Sequence, residues 1–517
     1  MINRDGTLVS LWQATADPYP SRNIPFNRTF DVVIAGGGIT GITTALLLQE
    51  AGMRCLVLEA KNICYGTTGG TTAHLNTFLD TPYHTIQKKF SKEIAKQVAH
   101  AAAEALNLVR ENIERFEINC GFREANAFLF ATNKDQEEEL DEISEASAAA
   151  GLEVMYSETI PVSIPFTKAI SVSNQAQFHP VRYVYALANA FEEMGGTIIQ
   201  QCRVTDLKEG TPLTIETSSG NFVAGQLIYA THTPPGINLL QIRCVPYRSY
   251  AMAVELEDLS YPDELTYDME DPYHYYRTQD IDGRPYLIAG GKDHKTGKEE
   301  NTEARLMALE ATIRGNFKVR KILHKWSSQY FEPGDGLPYI GKLPGNDNNV
   351  FVATGFGGNG MTYSHVAAII LRDIITREAN PAIQTDLFSP GRIKPVAGFT
   401  SFIAHQADVA KNYLGRLSDG EQISQVAEIA PGEGRIVEFD SKKIGIYKNE
   451  TGELFAVSPV CAHLKCEVRW NGAEKSWDCP CHGARYDITG AVITGPAEAP
   501  LGKIEFSNVP EYRKTTQ

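Results

Sequence analysis

The chain has 517 residues, 43% of them apolar and 21% charged, an ordinary globular composition with room for about three domains at ~150 residues each. A net charge of −15 with no basic block argues against a nucleic-acid partner, whose phosphates would be repelled. No run of about 18 apolar residues offers a membrane span, and residues 1–20 carry no export pattern, so a cytoplasmic location is expected. The scattered cysteines Cys55, Cys64, Cys120, Cys202 and Cys244 suit reduced thiols in that compartment.

The first informative stretch is the apolar run Asp31 to Ala35, followed by Gly36-Gly37-Gly38-Ile39-Thr40-Gly41 and a helix-forming segment from Thr44 to Glu50. Strand, glycine turn and helix in that order are the context a dinucleotide site requires. Gly36 permits the turn, Gly38 lets the backbone approach a pyrophosphate, and Gly41 packs helix against strand. A second strand, Arg54 to Leu58, ends in Glu59, about 20 residues beyond the glycines, where a carboxylate accepts from ribose hydroxyls. These residues alone leave FAD and NAD both open.

Residues 86–116 and 135–150 have the periodicity of amphipathic helices. Ile228 to Thr231 closes another strand, and Cys244 to Glu255, Tyr273 to Arg277 and Pro285 to Ala289 read as strands of an antiparallel sheet. In an alternating Tyr273-His274-Tyr275-Tyr276-Arg277 strand, His274 and Tyr276 share one face while Tyr275 and Arg277 share the other. Tyr276 or Arg277 could bind a substrate carboxylate, or these side chains could simply fill the sheet faces. Gly290-Gly291-Lys292-Asp293-His294 reads as a hairpin turn, with His294 brought near a cofactor edge as the competing reading.

Residues 381–424 read as a linker, with a docking helix from Ser401 to Leu417. Beyond it, short strands separated by Gly432, Gly434, Gly452, Gly472 and Gly490 suggest a small all-β domain over 425–517. This domain holds Cys461-Ala-His463-Leu-Lys-Cys466 and Cys479-Pro-Cys481-His482-Gly483. Two thiolates and two imidazoles can hold a [2Fe-2S] cluster, Cys461 and Cys479 on one iron and His463 and His482 on the other, or a tetrahedral zinc ion.

The cluster motif resembles the Rieske family, in particular its disulfide-bearing branch from cytochrome bc complexes. That resemblance covers residues 425–517, including the Gly495-Pro496 loop, and implies a [2Fe-2S] cofactor with a disulfide between Cys466 and Cys481. Where high-potential members carry a serine after His-Gly this chain has Ala484, whereas the tyrosine two residues later is retained as Tyr486. No Asp-x-x-His-x-x-x-x-His pattern is present for the mononuclear iron of a terminal oxygenase.

Residues 8–380 resemble the D-amino-acid oxidase superfamily, which includes glycine, sarcosine and γ-glutamylputrescine oxidases. The resemblance rests on Gly66-Thr67-Thr68-Gly69-Gly70-Thr71-Thr72, on Gln177-Phe178-His179-Pro180, and on Asp335-Gly336 to Gly341 followed by Thr354-Gly355-Phe356-Gly357-Gly358-Asn359-Gly360-Met361. It implies FAD, held by Gly36, Gly38, Gly41, Glu59, Thr67, Thr68, Gly355, Gly357, Gly358, Gly360 and Met361, with Tyr276, Arg277 and His294 as candidate catalytic residues. Some relatives link the flavin through a His or Cys, but His74 and Cys64 do not register on those positions.

The implied fold is an α/β Rossmann-like FAD-binding domain with an α+β substrate domain over 1–380, followed by the small all-β Rieske domain. FAD-binding parts fall at about 28–85, 165–235 and 330–380, and substrate parts at 86–164 and 236–329. The implied activity is dehydrogenation of a small amine or amino acid at a C–N bond, with electrons passing to the cluster and on to an external acceptor. An electron-transfer or redox-sensing protein with protein partners and no small substrate is the competing class. Hydrogen bonds to cluster sulfur raise the potential, so Ala484→Ser is expected to raise the cluster's midpoint potential in a spectroelectrochemical titration; an unchanged midpoint would remove this role for Ala484.

Overall fold

The computed structural model describes residues 4–21, 28–346, 349–378, 381–392, 428–439 and 442–505. The docking helix expected at Ser401 to Leu417 lies outside them.

An eight-stranded sheet runs Tyr339–Lys342, Val350–Thr354, Phe222–Tyr229, Thr29–Ala35, Cys55–Leu58, Thr197–Ile199, with an antiparallel pair beside Phe222–Tyr229. Thr29–Ala35 pairs in parallel with both neighbours, Val32 facing Gln226 and Cys55. Its near-continuous apolar run suits a strand covered on both faces. Helix Ile39–Glu50 is buried from Ile39 through Leu48 and packs against Pro180–Glu193 and Gly360–Thr376. Gly41 is what allows its first turn to sit on the strand, because a Cβ there would lie 1.9 Å from the carbonyl oxygen of Gly36.

The expected helix over 86–116 is two helices, Tyr83–Lys89 and Lys92–Arg115. Ser91 causes the break: its hydroxyl accepts from the Ile94 N–H and caps the second helix. Lys92–Arg115 packs against Gly360–Thr376. Asn112 on that helix donates to Tyr183, whose hydroxyl is bonded in turn to His365, a buried bridge across three helices.

A nine-stranded mixed sheet forms the second layer, in the order Val319–Pro333, Cys244–Leu256, Arg284–Lys295, Tyr275–Ile281, Leu265–Asp268, Arg123–Ala131, Lys168–Gln177, His74–Leu75, with Val154–Ser157 also paired to Lys168–Gln177. The turn expected at Gly290 to His294 is not a turn. Arg284–Lys295 runs straight through it, with a bulge where the pairing to Cys244–Leu256 shifts between Arg248 and Tyr250. Tyr275 packs over Gly290 and the Tyr273 carbonyl over Gly291, where a Cβ would sit 2.2 and 2.6 Å from them. The glycines therefore serve close approach within a strand, and Lys292 takes the left-handed conformation at the bulge.

The C-terminal domain has a three-stranded sheet, Gly434–Phe439, Lys442–Lys448 and Leu454–Val457, and a four-stranded sheet, Arg469–Asn471, Ser476–Asp478, Arg485–Tyr486 and Val492–Thr494. Its core holds Trp477, with Trp470 stacked on Tyr447 at a centroid distance of 4.8 Å.

Buried charges join this domain to the rest. Glu474 Oε1 pairs with Arg4 at 3.4 Å and accepts from the Ser327 hydroxyl at 2.6 Å and the Ser327 N–H at 3.1 Å. Arg485 pairs with Asp478 at 3.2 Å and Asp5 at 3.4 Å, and Arg248 lies 3.8 Å from Asp478. Three arginines thus face three carboxylates out of water. Removing one partner of such a set leaves an uncompensated buried charge and costs about 3–5 kcal/mol. Glu474→Gln is expected to lower stability by about 3 kcal/mol, read as a shift of the denaturant midpoint followed by the visible circular dichroism of the cluster. A shift close to zero would show that the network carries no such weight.

Candidate functional site

The cleft at the ends of the parallel strands has a volume of about 330 Å³. Of the candidate cofactor residues, Gly36, Gly38, Glu59, Thr67, Thr68, Gly357, Gly360 and Met361 line it. Gly358 faces the adjoining cavity, while Gly41 and Gly355 stand behind the wall, Gly355 with φ +75 against Cys244. Gly38 caps helix Ile39–Glu50 without a side chain, and Thr68 Oγ1 takes the Ile39 N–H at 3.1 Å. The neighbouring N–H groups at that helix start suit a pyrophosphate. Glu59 is held by the N–H groups of Gly37 and Lys61, both at 2.7 Å, and burial raises its carboxyl above the usual range. Ile493 to Glu498 of the C-terminal domain closes the far wall.

Beside the cleft is a cavity of about 100 Å³, which shares Thr67, Gln329, Gly357, Gly360 and Met361 with it. The second sheet roofs this cavity with Tyr250, Tyr267, Tyr275, Trp326 and Tyr330. Asp80 and Asp293 supply its charge. Asp293 Oδ2 accepts from the Tyr330 hydroxyl at 2.9 Å, and desolvation pushes the group up to about 6. Asp80 is an exposed residue at the cavity, its carboxylate bonded to the Gly358 N–H and the Tyr273 hydroxyl. Desolvation, then Glu332 and Asp293, pushes it up to about 7. His74 lies between Tyr267 and Tyr275, each ring 5.4 Å away, and burial holds it well below its ordinary value, so its imidazole is neutral.

The three candidate catalytic side chains do not line this cavity, which corrects the expectation from sequence. Tyr276 points to the opposite face, its ring against Phe317 and its hydroxyl accepting from Asn316 at 3.3 Å. Arg277 does share a face with Tyr275, but all of its fork is engaged. Nε donates to the Thr72 carbonyl at 2.7 Å, Nη1 to Gln279 at 2.7 Å and Nη2 to the Phe178 carbonyl at 3.3 Å, and the guanidinium lies over Trp12. Burial pulls it down to about 9. Arg277 therefore anchors the Thr71 to His74 loop rather than meeting a ligand. His294 stacks on Tyr250 and bonds its hydroxyl at 2.9 Å, because the bulge leaves Asp293, not His294, on the cavity side. Strand alternation could have found Tyr275, and alternation along Cys244–Leu256 could have found Tyr250. Asp80 and Asn76 sit on irregular backbone with no local signal.

The four expected cluster ligands converge. Cys461 Sγ is 3.1 Å from the Tyr486 hydroxyl, and its hydrogen bond with Cys479 lowers its thiol from the usual value. The rings of His463 and His482 are 5.0 Å apart and nearly perpendicular. His463 Nδ1 is buried with no hydrogen-bond partner, an orphaned donor atom that fits an iron ligand. Cys466 and Cys481 form a disulfide across the two ligand loops. Both extra cysteines are thereby committed, which suits a cluster site of Rieske type better than zinc. Ala484 is fully buried and presents no hydroxyl, whereas Tyr486 also accepts from the Ala462 N–H.

These ligand loops rest on the flavin-side protein. His463 Nε2 lies 3.1 Å from the Gly236 carbonyl, and Gln329 Nε2 donates to the Gly483 carbonyl at 2.9 Å. The Gln329 carbonyl accepts from Thr67, a cleft residue, at 3.0 Å. Cys64 does not line either cavity, and burial keeps its thiol protonated. Losing charge-assisted hydrogen bonds to ribose costs about 1.5–3 kcal/mol, so Glu59→Ala is expected to weaken dinucleotide binding about tenfold or more, read as the bound flavin-to-protein ratio after gel filtration. A ratio equal to wild type would detach Glu59 from that role.

A family model for FAD dependent oxidoreductase matches residues 31–374, and one for the Rieske [2Fe-2S] domain matches residues 421–512. The chain is 32% identical to the Rieske 2Fe-2S iron-sulfur protein YhfW of Bacillus subtilis (strain 168) over 499 residues, 96% of this chain and 97% of that one. It is 26% identical to gamma-glutamylputrescine oxidoreductase of Escherichia coli (strain K12) over 386 residues, 72% of this chain and 89% of the relative. Glycine oxidase from Geobacillus kaustophilus shares the fold with a TM-score of 0.60 at 19% identity, over 71% of this chain and 100% of that structure. The glycine turn, the fixed Glu59 and the four converging cluster ligands agree with both family matches: the chain belongs to the FAD-dependent oxidoreductase family and carries a Rieske [2Fe-2S] domain after it.

Proposed function

We propose that this protein dehydrogenates a small amine or amino acid at its C–N bond and delivers the electrons through its own Rieske domain to an external acceptor. The observation that carries this reading is the continuity of three sites: a dinucleotide cleft, a tyrosine-roofed cavity sharing its wall, and a cluster loop bonded to that wall through Gln329. FAD supplies a two-electron acceptor and the [2Fe-2S] cluster a one-electron carrier.

The chain's own residues hold and orient. Tyr250, Tyr275 and Tyr330 exclude water from a substrate carbon beside the Gly357 to Met361 turn. Oxidation removes two electrons and two protons from the amine and leaves an imine, which water hydrolyses. Asp293, pushed up to about 6, is a group able to take a proton from a substrate ammonium, while His74, held neutral, can accept a hydrogen bond. Gln329 and the loop from His232 to Gly236 join the cleft to both ligand loops of the cluster, which supports internal electron delivery over direct release to dioxygen. The likeness to gamma-glutamylputrescine oxidoreductase supports an amine as donor. The tyrosine-lined cavity beside the cleft favours an enzyme over a pure electron shuttle, which needs no such chamber.

Anaerobic titration with amines and amino acids, following flavin absorbance and the cluster's EPR signal together, tests the proposal. The expected result is flavin bleaching accompanied by cluster reduction. Bleaching without a cluster signal would break the relay, and no bleaching by any donor alongside ready reduction by a ferredoxin system would point to the shuttle.

A further inference from the structure

The substrate cavity is acidic and carries no cation. Asp80 and Asp293 both line it, and no lysine or arginine does among the described residues. Arg277, whose charge is felt at the lining residue His74, spends its fork on Thr72, Gln279 and Phe178. A substrate carboxylate normally needs a bidentate arginine or an equivalent cation to offset desolvation. Here it would instead meet two acids.

The polar groups left open in the wall have the same sense. Asn76 is 5% exposed and lines the cavity, its amide nitrogen donates to Tyr267, and its Oδ1 has no hydrogen-bond partner. His74 Nε2 is likewise buried without a partner on a neutral ring. An alkylammonium donates hydrogen bonds, carries the charge that two facing acids lack, and packs well against tyrosine faces such as Tyr267 and Tyr275. Resting on the amine-oxidation reading above, we infer that the cavity selects a cationic amine without an α-carboxylate, such as an alkylamine or a diamine, and rejects free amino acids. Asp293 receives the ammonium at the Tyr330 side, Asp80 receives a second positive charge or a polarised N–H at the Gly358 side, and Asn76 Oδ1 accepts from the ligand. The raised values of Asp80 and Asp293 agree: desolvation and the nearby Glu332 destabilise the charge of both, and Asp293 adds to this at Asp80, so an entering cation is favoured.

The test uses the full-length holoprotein under anaerobic conditions, with 1,4-diaminobutane and propylamine against sarcosine, glycine and L-proline, and with benzoate as an anionic probe. Binding is read as perturbation of the flavin spectrum, separately from bleaching. The amines are expected to bind at least tenfold more tightly than the amino acids, with no perturbation by benzoate. Asp293→Asn is expected to weaken 1,4-diaminobutane about tenfold, and Asp80→Asn to do so independently, each keeping the shape and a hydrogen-bonding amide. Tighter binding of amino acids or benzoate, or wild-type diamine affinity in both variants, overturns the cationic cavity. Amino acids that bleach where amines do not would sink this inference and leave C–N oxidation standing. Amines that bind without bleaching would leave the cavity assignment standing and sink the oxidation.

Discussion

Everything that makes this chain more than two tethered domains depends on a buried set of charges at their seam. Arg4 and Asp5 come from the N-terminal segment, Arg248 from the roof sheet, and Glu474, Asp478 and Arg485 from the Rieske domain. Three separate stretches of chain therefore supply one neutral cluster. Such a set adds little net stability over an apolar seam, but it tolerates only one alignment, since any slip strands a charge out of water. Burial by itself would raise Asp5, and the three arginines outweigh it and hold the carboxyl low.

The alignment so enforced puts chemistry in a line. The same strand that offers Ser327 to Glu474 offers Gln329 two residues on, and Gln329 spans from the Thr67 wall of the cleft to the Gly483 carbonyl beside a cluster ligand. Period-two alternation means that Ser327 and Gln329 face the same side, so one strand face both clamps the Rieske domain and contacts its ligand loop. Tyr330, the next residue, reaches the tyrosine-roofed cavity. A single strand thus touches all three sites, which explains why Gln329 and Ser327 are fully or nearly fully buried polar side chains. The His463 contact to Gly236 closes the same seam from the other ligand loop.

Motifs made of consecutive residues were legible in the sequence because their geometry is local. The glycine turn places its own helix start, and the Cys-x-His and Cys-x-x-His loops place their own ligands, so Gly36, Gly38, Glu59, Cys461, His463, Cys479 and His482 could be named as candidates before any fold was known. Short-range cues failed where a distant side chain overrode them. Gly290 and Gly291 look like a turn, but Tyr275 needs the space above them and the strand continues. Arg277 looks like a carboxylate binder, yet Thr72 and Phe178, brought in from two other segments, and Gln279, two residues along the same strand, engage its fork.

By itself the sequence determined the two cofactor classes, the order of the domains and the Cys466 to Cys481 pairing implied by the Rieske motif, because each of these is written in contiguous residues. Only the tertiary structure decided which side chains line the cavity beside the cleft, that Asp80, Asp293 and five tyrosines do while the expected Tyr276, Arg277 and His294 do not, and that the cluster loops dock on Gln329 and Gly236. The reason is physical: a one-residue bulge reverses which side chain a strand presents, and a buried charge finds its partner hundreds of residues away, so neither outcome is encoded in any short window of chain.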